Sequence, residues 1–137
     1  MKITLVFLLA LTVIATSCDV YYVEPEPVIV YDDRDAFVGS YDVNEYSSTY
    51  DEYWEYDLSI YKSAGDIVID NFYNSGLKVY ANVNGSRLSI PWQTVNGYEL
   101  QGSGYVEGRK LVINYKIRDT YTNGAAWDFC DATGWLY

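Results

Sequence analysis

Apolar residues recur at every second position through most of this chain. Phe37, Gly39, Tyr41 and Val43 alternate with Val38, Ser40 and Asp42, and Trp54, Tyr56, Leu58 and Ile60 alternate with Glu55, Asp57 and Ser59. The same rhythm runs through Leu77, Val79, Ala81 and Val83, through Tyr98, Leu100, Gly102 and Gly104, and through Leu111, Ile113, Tyr115 and Ile117. An extended backbone turns successive side chains to opposite faces, so these are strands with one face buried and one largely wet. No stretch after residue 17 sustains a 3.6-residue repeat, which sets aside helical bundles and helix-backed parallel sheets. The chain is expected to be all-β.

The breaks between these runs are short. Asn84-Gly85 and Asn123-Gly124 are predicted as two-residue hairpin turns, because both residue types tolerate positive φ. Ser63-Ala64-Gly65-Asp66, Asn74-Ser75-Gly76 and Glu107-Gly108 are further tight turns. Short connections force antiparallel neighbours, so about eight strands form an up-and-down meander. Curling that meander into a closed barrel buries the apolar faces and leaves no free edge, which favours it over a flattened sandwich. Gly102 and Gly104 share one face of a strand and mark a place for sharp curvature.

Composition narrows the function. The chain of 137 residues has no histidine, so it lacks the usual general base and the commonest transition-metal ligand. Nineteen acids against nine bases give a net charge of −10, which opposes binding to nucleic-acid phosphates. The acids cluster: positions 19–57 hold twelve acids and one base, whereas 58–137 hold seven of each. Asp32-Asp33-Arg34-Asp35 and Asp51-Glu52-x-x-Glu55-x-Asp57 lack the spacing of a calcium loop and are expected to be solvated charge, with no metal. No cofactor is expected.

The leading residues carry an address. Met1-Lys2 is a short positive start, Ile3 to Ala15 is uncharged, and Ala15-Thr16-Ser17 places small residues before Cys18. An apolar run of about 13 residues suits a signal-peptide core and falls short of the ~20 that a spanning helix needs. Small residues leading into a cysteine resemble the lipobox of bacterial lipoproteins of the Bacteroidetes type, with Ala15 where leucine is commonest. The resemblance implies that residues 1–17 are removed. It further implies that Cys18 carries fatty acids such as palmitate, and that the protein sits in the cell envelope on a lipid anchor, at the outer membrane. A plain secretory leader cut nearby and an uncleaved anchor are the alternatives. Residues 18–35 are expected to be an acidic, Pro-containing tether, since Glu24-Pro25-Glu26-Pro27 favours an extended spacer. Within it, Val28-Ile29-Val30-Tyr31 is apolar enough for a short edge strand or a docking segment. With Cys18 lipidated, Cys130 lacks an intramolecular partner and is expected to be buried and inert between Asp128 and Asp131.

The domain proper, 36–137, opens with Phe37-Val38-Gly39-Ser40-Tyr41. This start is similar to the Gly-x-Trp/Tyr opening of lipocalin-like (calycin) barrels, in which an aromatic closes the bottom of an eight-stranded meander. True lipocalins are longer and generally add a helix, so the resemblance is to the short lipocalin-like domains of bacterial lipoproteins. It implies an interior that could take a small apolar ligand and no catalytic residues, with Gly39 and Tyr41 as structural positions. The chain is therefore read as a non-enzyme. Sixteen tyrosines offer a second route to binding. Tyr53, Tyr61 and Tyr80 fall on the outward phase, where a row of rings would suit a glycan or a protein partner. Gly124–Tyr137, with Trp127, Phe129 and Trp135, is expected to be the closing strand, packing Trp127 and Phe129 inside, with a plug at one end of the barrel as the alternative. The expected function is a membrane-anchored, non-catalytic module binding a small apolar or glycan ligand. The alternative is a protein-interaction or inhibitor module with a filled barrel.

Overall fold

A computed structural model of the chain describes residues 21–137; the expected leader and the expected lipidation site Cys18 lie outside the described residues. The chain divides into two compact units at Val30 and Tyr31. Of the first, residues 21–30 have no regular secondary structure and their side chains are exposed. Val28-Ile29-Val30 forms no strand.

The second unit is a closed barrel of eight antiparallel strands in sequence order. They are β1 (Gly39–Ser47), β2 (Glu52–Ser63), β3 (Asp66–Phe72), β4 (Leu77–Asn84), β5 (Arg87–Val95), β6 (Tyr98–Glu107), β7 (Lys110–Asp119) and β8 (Asp128–Leu136). Pairing of β1 with β8, from Tyr41↔Leu136 to Ser47↔Cys130, closes the cylinder. The only helical element among the described residues is a 3-10 turn at Asp33–Ala36. The alternation seen in the sequence is the alternation of the wall: Tyr41 and Val43, Leu58 and Ile60, Leu77 and Val79, and Leu111 and Ile113 are all buried.

Turn chemistry sets the register. In the β4–β5 hairpin Asn84 pairs with Arg87, so Gly85-Ser86, not Asn84-Gly85, form the bend, with Gly85 at φ +59°. The shift sets Val83 opposite Leu88; a bend at Asn84-Gly85 would set it opposite Ser86. Asn96-Gly97 has both residues at positive φ (46° and 81°) and joins β5 to β6, where Val95 pairs with Tyr98. Asn123-Gly124 does bend the chain, with Ala125 N–H donating to the Thr122 carbonyl at 3.2 Å. That bend lies inside the longer 120–127 connection and is not itself a hairpin.

Two bulges shape the wall. One lies in β5 between Ile90 and Gln93, where Pro91 has no N–H to offer a neighbour. Gln93 repairs the gap: its amide accepts from Tyr80 N at 3.0 Å and donates to Tyr80 O at 2.8 Å, as a backbone group would. The other lies at Asn71 in β3, at φ +62°. Gly102 and Gly104 lie on β6 with no room for a side chain against β7; a Cβ on Gly104 would stand 2.3 Å from the Val112 carbonyl oxygen.

One pole is sealed. Phe37 and Tyr41 are fully buried where β1 begins, and the Tyr41 hydroxyl donates to the Phe37 carbonyl at 2.9 Å. Gly39 has φ +148°, a conformation that favours glycine, and a Cβ there would also displace the tip of the Leu136 side chain, whose Cδ1 would stand at 2.3 Å. The 3-10 turn caps this pole. Asp33 accepts from Gly85 N at 2.8 Å, and Lys62 reaches Asp32 at 2.9 Å and also pairs with Asp35. Arg34 and Lys62 beside Asp32 hold its carboxyl well below the usual range. Contacts of the barrel unit therefore begin at Asp32, inside the segment expected to be tether.

Candidate functional site

At the opposite pole the inward phase of the strands turns polar. On β1 the buried series Tyr41, Val43 continues as Glu45 and Ser47, and β8 enters with buried Asp128. The interior supplies partners. Glu45 Oε2 accepts from the Tyr56 hydroxyl at 2.5 Å and from the Tyr115 hydroxyl at 2.7 Å. Asp128 accepts from Tyr73 at 2.8 Å through one oxygen and from Ser47 through the other. Neither carboxylate forms an ion pair among the described residues. Burial raises the Glu45 carboxyl above its ordinary range, opposed by its two tyrosine hydrogen bonds. Burial, reinforced by these acids, also pushes the Tyr56, Tyr73 and Tyr115 hydroxyls upward.

Tyr73 sits over this pole. It follows β3 at φ +58° and Asn74 at φ +48°, in a tight bend closed by Ser75 N–H on the Phe72 carbonyl at 3.2 Å. A left-handed backbone is unusual for an aromatic residue and costs about 1–2 kcal/mol. The Tyr73 ring stands edge-on to Trp54 at 6.1 Å, to Tyr98 at 6.3 Å and to Tyr115 at 6.3 Å. It lines a cavity of about 180 Å³ with Tyr50, Tyr98, Ile117, Arg118 and Asp128. It also lines a second of about 190 Å³ with Trp54 and Asn74. Below, Phe72 and Tyr115 meet with centroids 4.3 Å apart, so bulky side chains fill the middle of the barrel. A larger cavity of about 490 Å³ lies on the wall of β5–β7 among Arg87, Ser103, Tyr105 and Asn114.

A second cluster lies on the outer wall. Trp92, lifted by the β5 bulge, and Phe129 on β8 are each more than half exposed. Phe129 and Trp127 thus lie outside the barrel and not inside as expected, because the inward phase of β8 falls on Asp128, Cys130 and Ala132. Gln101, Lys116 and Phe129 are register neighbours across β6, β7 and β8. Trp127 meets Trp92 edge to face at 5.4 Å. The Lys116 ammonium lies 4.7 Å from the Trp127 ring and 5.5 Å from the Trp92 ring, and the Arg118 guanidinium lies 4.5 Å from Trp127. Arg118 is also held by Glu99 at 2.7 Å. This corner of two indoles and two cations stands on an otherwise acidic protein.

The three outward tyrosines are not one site. Tyr61 and Tyr80 both pair with Val68 of β3 and flank it on the outer face, where Val68 is only 3% exposed. Lys78 lies beside Tyr61, 5.6 Å from its ring. Tyr53 is at the far end of β2, about 26 Å along the strand from Tyr61, stacked on Tyr46 at 4.6 Å. Cys130 is buried and free, and burial with the Glu45 and Asp128 charges raises its thiol far above the reactive range. Glu45 and Asp128 were the residues hardest to find from sequence; the one signal for Glu45 is that it continues the inward phase of Tyr41 and Val43.

No protein-family model matches the chain, and no curated protein or solved structure is significantly similar to it.

Proposed function

We propose that the chain is a cell-envelope lipoprotein, anchored through Cys18, whose barrel is a non-catalytic module that binds a glycan on its outer wall. The lipobox-like leader supports the anchor, and the filled barrel middle directs a ligand away from the interior. The observation that carries the glycan reading is the corner of Trp92, Trp127, Lys116 and Arg118. The half-exposed Trp92 ring offers a surface on which a sugar ring can stack, and the Lys116 ammonium beside it suits an acidic sugar. Docking of an envelope protein is the second reading, favoured by the same filled interior and by the exposed rings of Trp92 and Phe129.

Calorimetric titration with uronic-acid oligosaccharides tests the first reading. Trp92→Ala is expected to weaken binding roughly tenfold, equivalent to ~1.4 kcal/mol. Unchanged affinity, or no binding by the natural protein, refutes the glycan reading; specific retention of one envelope protein, lost in Trp92→Ala, then supports the second. Mass spectrometry of material from the native cell tests the anchor, which requires an amino terminus at Cys18 bearing acyl chains.

A further inference from the structure

We propose that the pole opposite the Phe37 seal is a binding site for a small organic ammonium ion, with Asp128 as its counter-charge and the rings of Tyr73 and Tyr98 as its walls. Asp128 is 2% exposed, yet its carboxylate meets only uncharged donors, the Ser47 hydroxyl on one oxygen and the Tyr73 hydroxyl on the other, with the Cys130 thiol beside it. These donors leave it without a cationic partner among the described residues, and Glu45 places a second buried acid nearby. The cavity of about 180 Å³ reaches this carboxylate and is otherwise walled by Tyr50, Tyr73, Tyr98 and Ile117. Aromatic faces attract a cation, and a desolvated carboxylate beneath them adds a directional partner. A cavity of roughly 150 Å³ takes a benzene ring, so this one suits a single ring with a short aminoalkyl chain.

Other occupants fit less well. Among the described residues no three acid or thiol groups converge as metal ligands, which disfavours a bare cation. An anion would face Asp128 and Asp119, both of which line the cavity. Arg118 lines it too, but its guanidinium is held outward by Glu99 at 2.7 Å and by the Trp127 ring at 4.5 Å. The left-handed backbone of Tyr73 is strain retained where its ring covers the cavity, as functional positions often retain it. Tyr73 also lines the neighbouring cavity of about 190 Å³, so rotation of its ring would admit a longer body.

The test is calorimetry on the full chain with three probes of one shape: 2-phenylethylammonium, neutral 2-phenylethanol and anionic phenylacetate. The ammonium is expected to bind with Kd of about 0.1–1 mM, the alcohol roughly tenfold more weakly, and the anion not measurably. Quenching of tryptophan fluorescence, with Trp54 across Tyr73 from the site, gives a second readout. Asp128→Asn is expected to lose roughly tenfold in affinity and Tyr98→Ala about threefold. If Asp128→Asn does not fold, the Tyr98 variant and the probe series on the natural chain decide alone. Equal binding of alcohol and ammonium, or no saturable binding of the ammonium by about 10 mM, overturns the proposal. Trp92→Ala should leave ammonium binding intact, which separates this site from the glycan reading.

Discussion

Replacing Gly102 by alanine should destabilise the barrel far more than the same change in a turn. A Cβ at Gly102 would stand 2.5 Å from Tyr115 Cβ, 2.6 Å from the Asn114 carbonyl oxygen and 3.0 Å from Tyr115 Cα. Ordinary carbon contacts are about 3.5–4.0 Å, so the two strands must part by about 1 Å. Neighbouring strands are normally ~4.8 Å apart, and such a parting takes the adjacent ladder hydrogen bonds beyond useful length. Two such bonds at ~1 kcal/mol each, with overpacking of about 1–3 kcal/mol, give a loss of about 3–5 kcal/mol. Gly108→Ala is the control: Gly108 has φ +58° but nothing within 4 Å of a Cβ, so only backbone strain of about 1–2 kcal/mol is added. Urea unfolding followed by circular dichroism measures both. The near-ultraviolet signal should also change in Gly102→Ala, because Tyr115 carries the hydroxyl that meets Glu45. If Gly102→Ala costs no more than Gly108→Ala, the close approach of β6 and β7 is not what requires glycine there.

Two other outcomes follow from the buried polar pole. Glu45 has its folded pKa raised from an ordinary 4.5, so the folded state holds the proton more tightly. Its contribution is fully present below that value and is lost as pH rises through the folded pKa, with a limiting slope of about 1.4 kcal/mol per pH unit. The stability of the natural chain minus that of Glu45→Gln should therefore fall with rising pH in urea titrations; a flat or rising difference contradicts the assignment. Cys130 should resist iodoacetamide at pH 8 in the native protein and react at least about a hundredfold faster once unfolded, as mass spectrometry would read.

The cylinder was legible because period-two patterning decides which face is buried, and Tyr41, Leu58, Val79 and Ile113 lie inside as their phase requires. The register was less so. Asn84-Gly85 carries a strong local signal, but the bend settles one residue later to align Val83 with Leu88. The Asn96-Gly97 hairpin, with both residues at positive φ, carries an equally strong local signal. The polar pole was hidden for a different reason. An acid is read as solvated unless its partners are known, and those of Glu45 lie 11 and 70 residues away, at Tyr56 and Tyr115. Trp92 and Trp127 are likewise joined only by the closed wall and the β5 bulge, and no local motif announces the pair.

The β1–β8 seam leaves the first and last strands of the barrel side by side, with Tyr137 N–H on the Ser40 carbonyl at 3.2 Å. Both ends of this unit thus emerge beside the Phe37 seal, and connecting segments alone rim the Asp128 pole. A short linker from residue 137 back to 32 would give a circular permutant, opened within 120–127, with every strand pairing retained. The barrel unit can accordingly be fused, tethered or immobilised at either of its own ends without obstructing the pole where its buried acids lie.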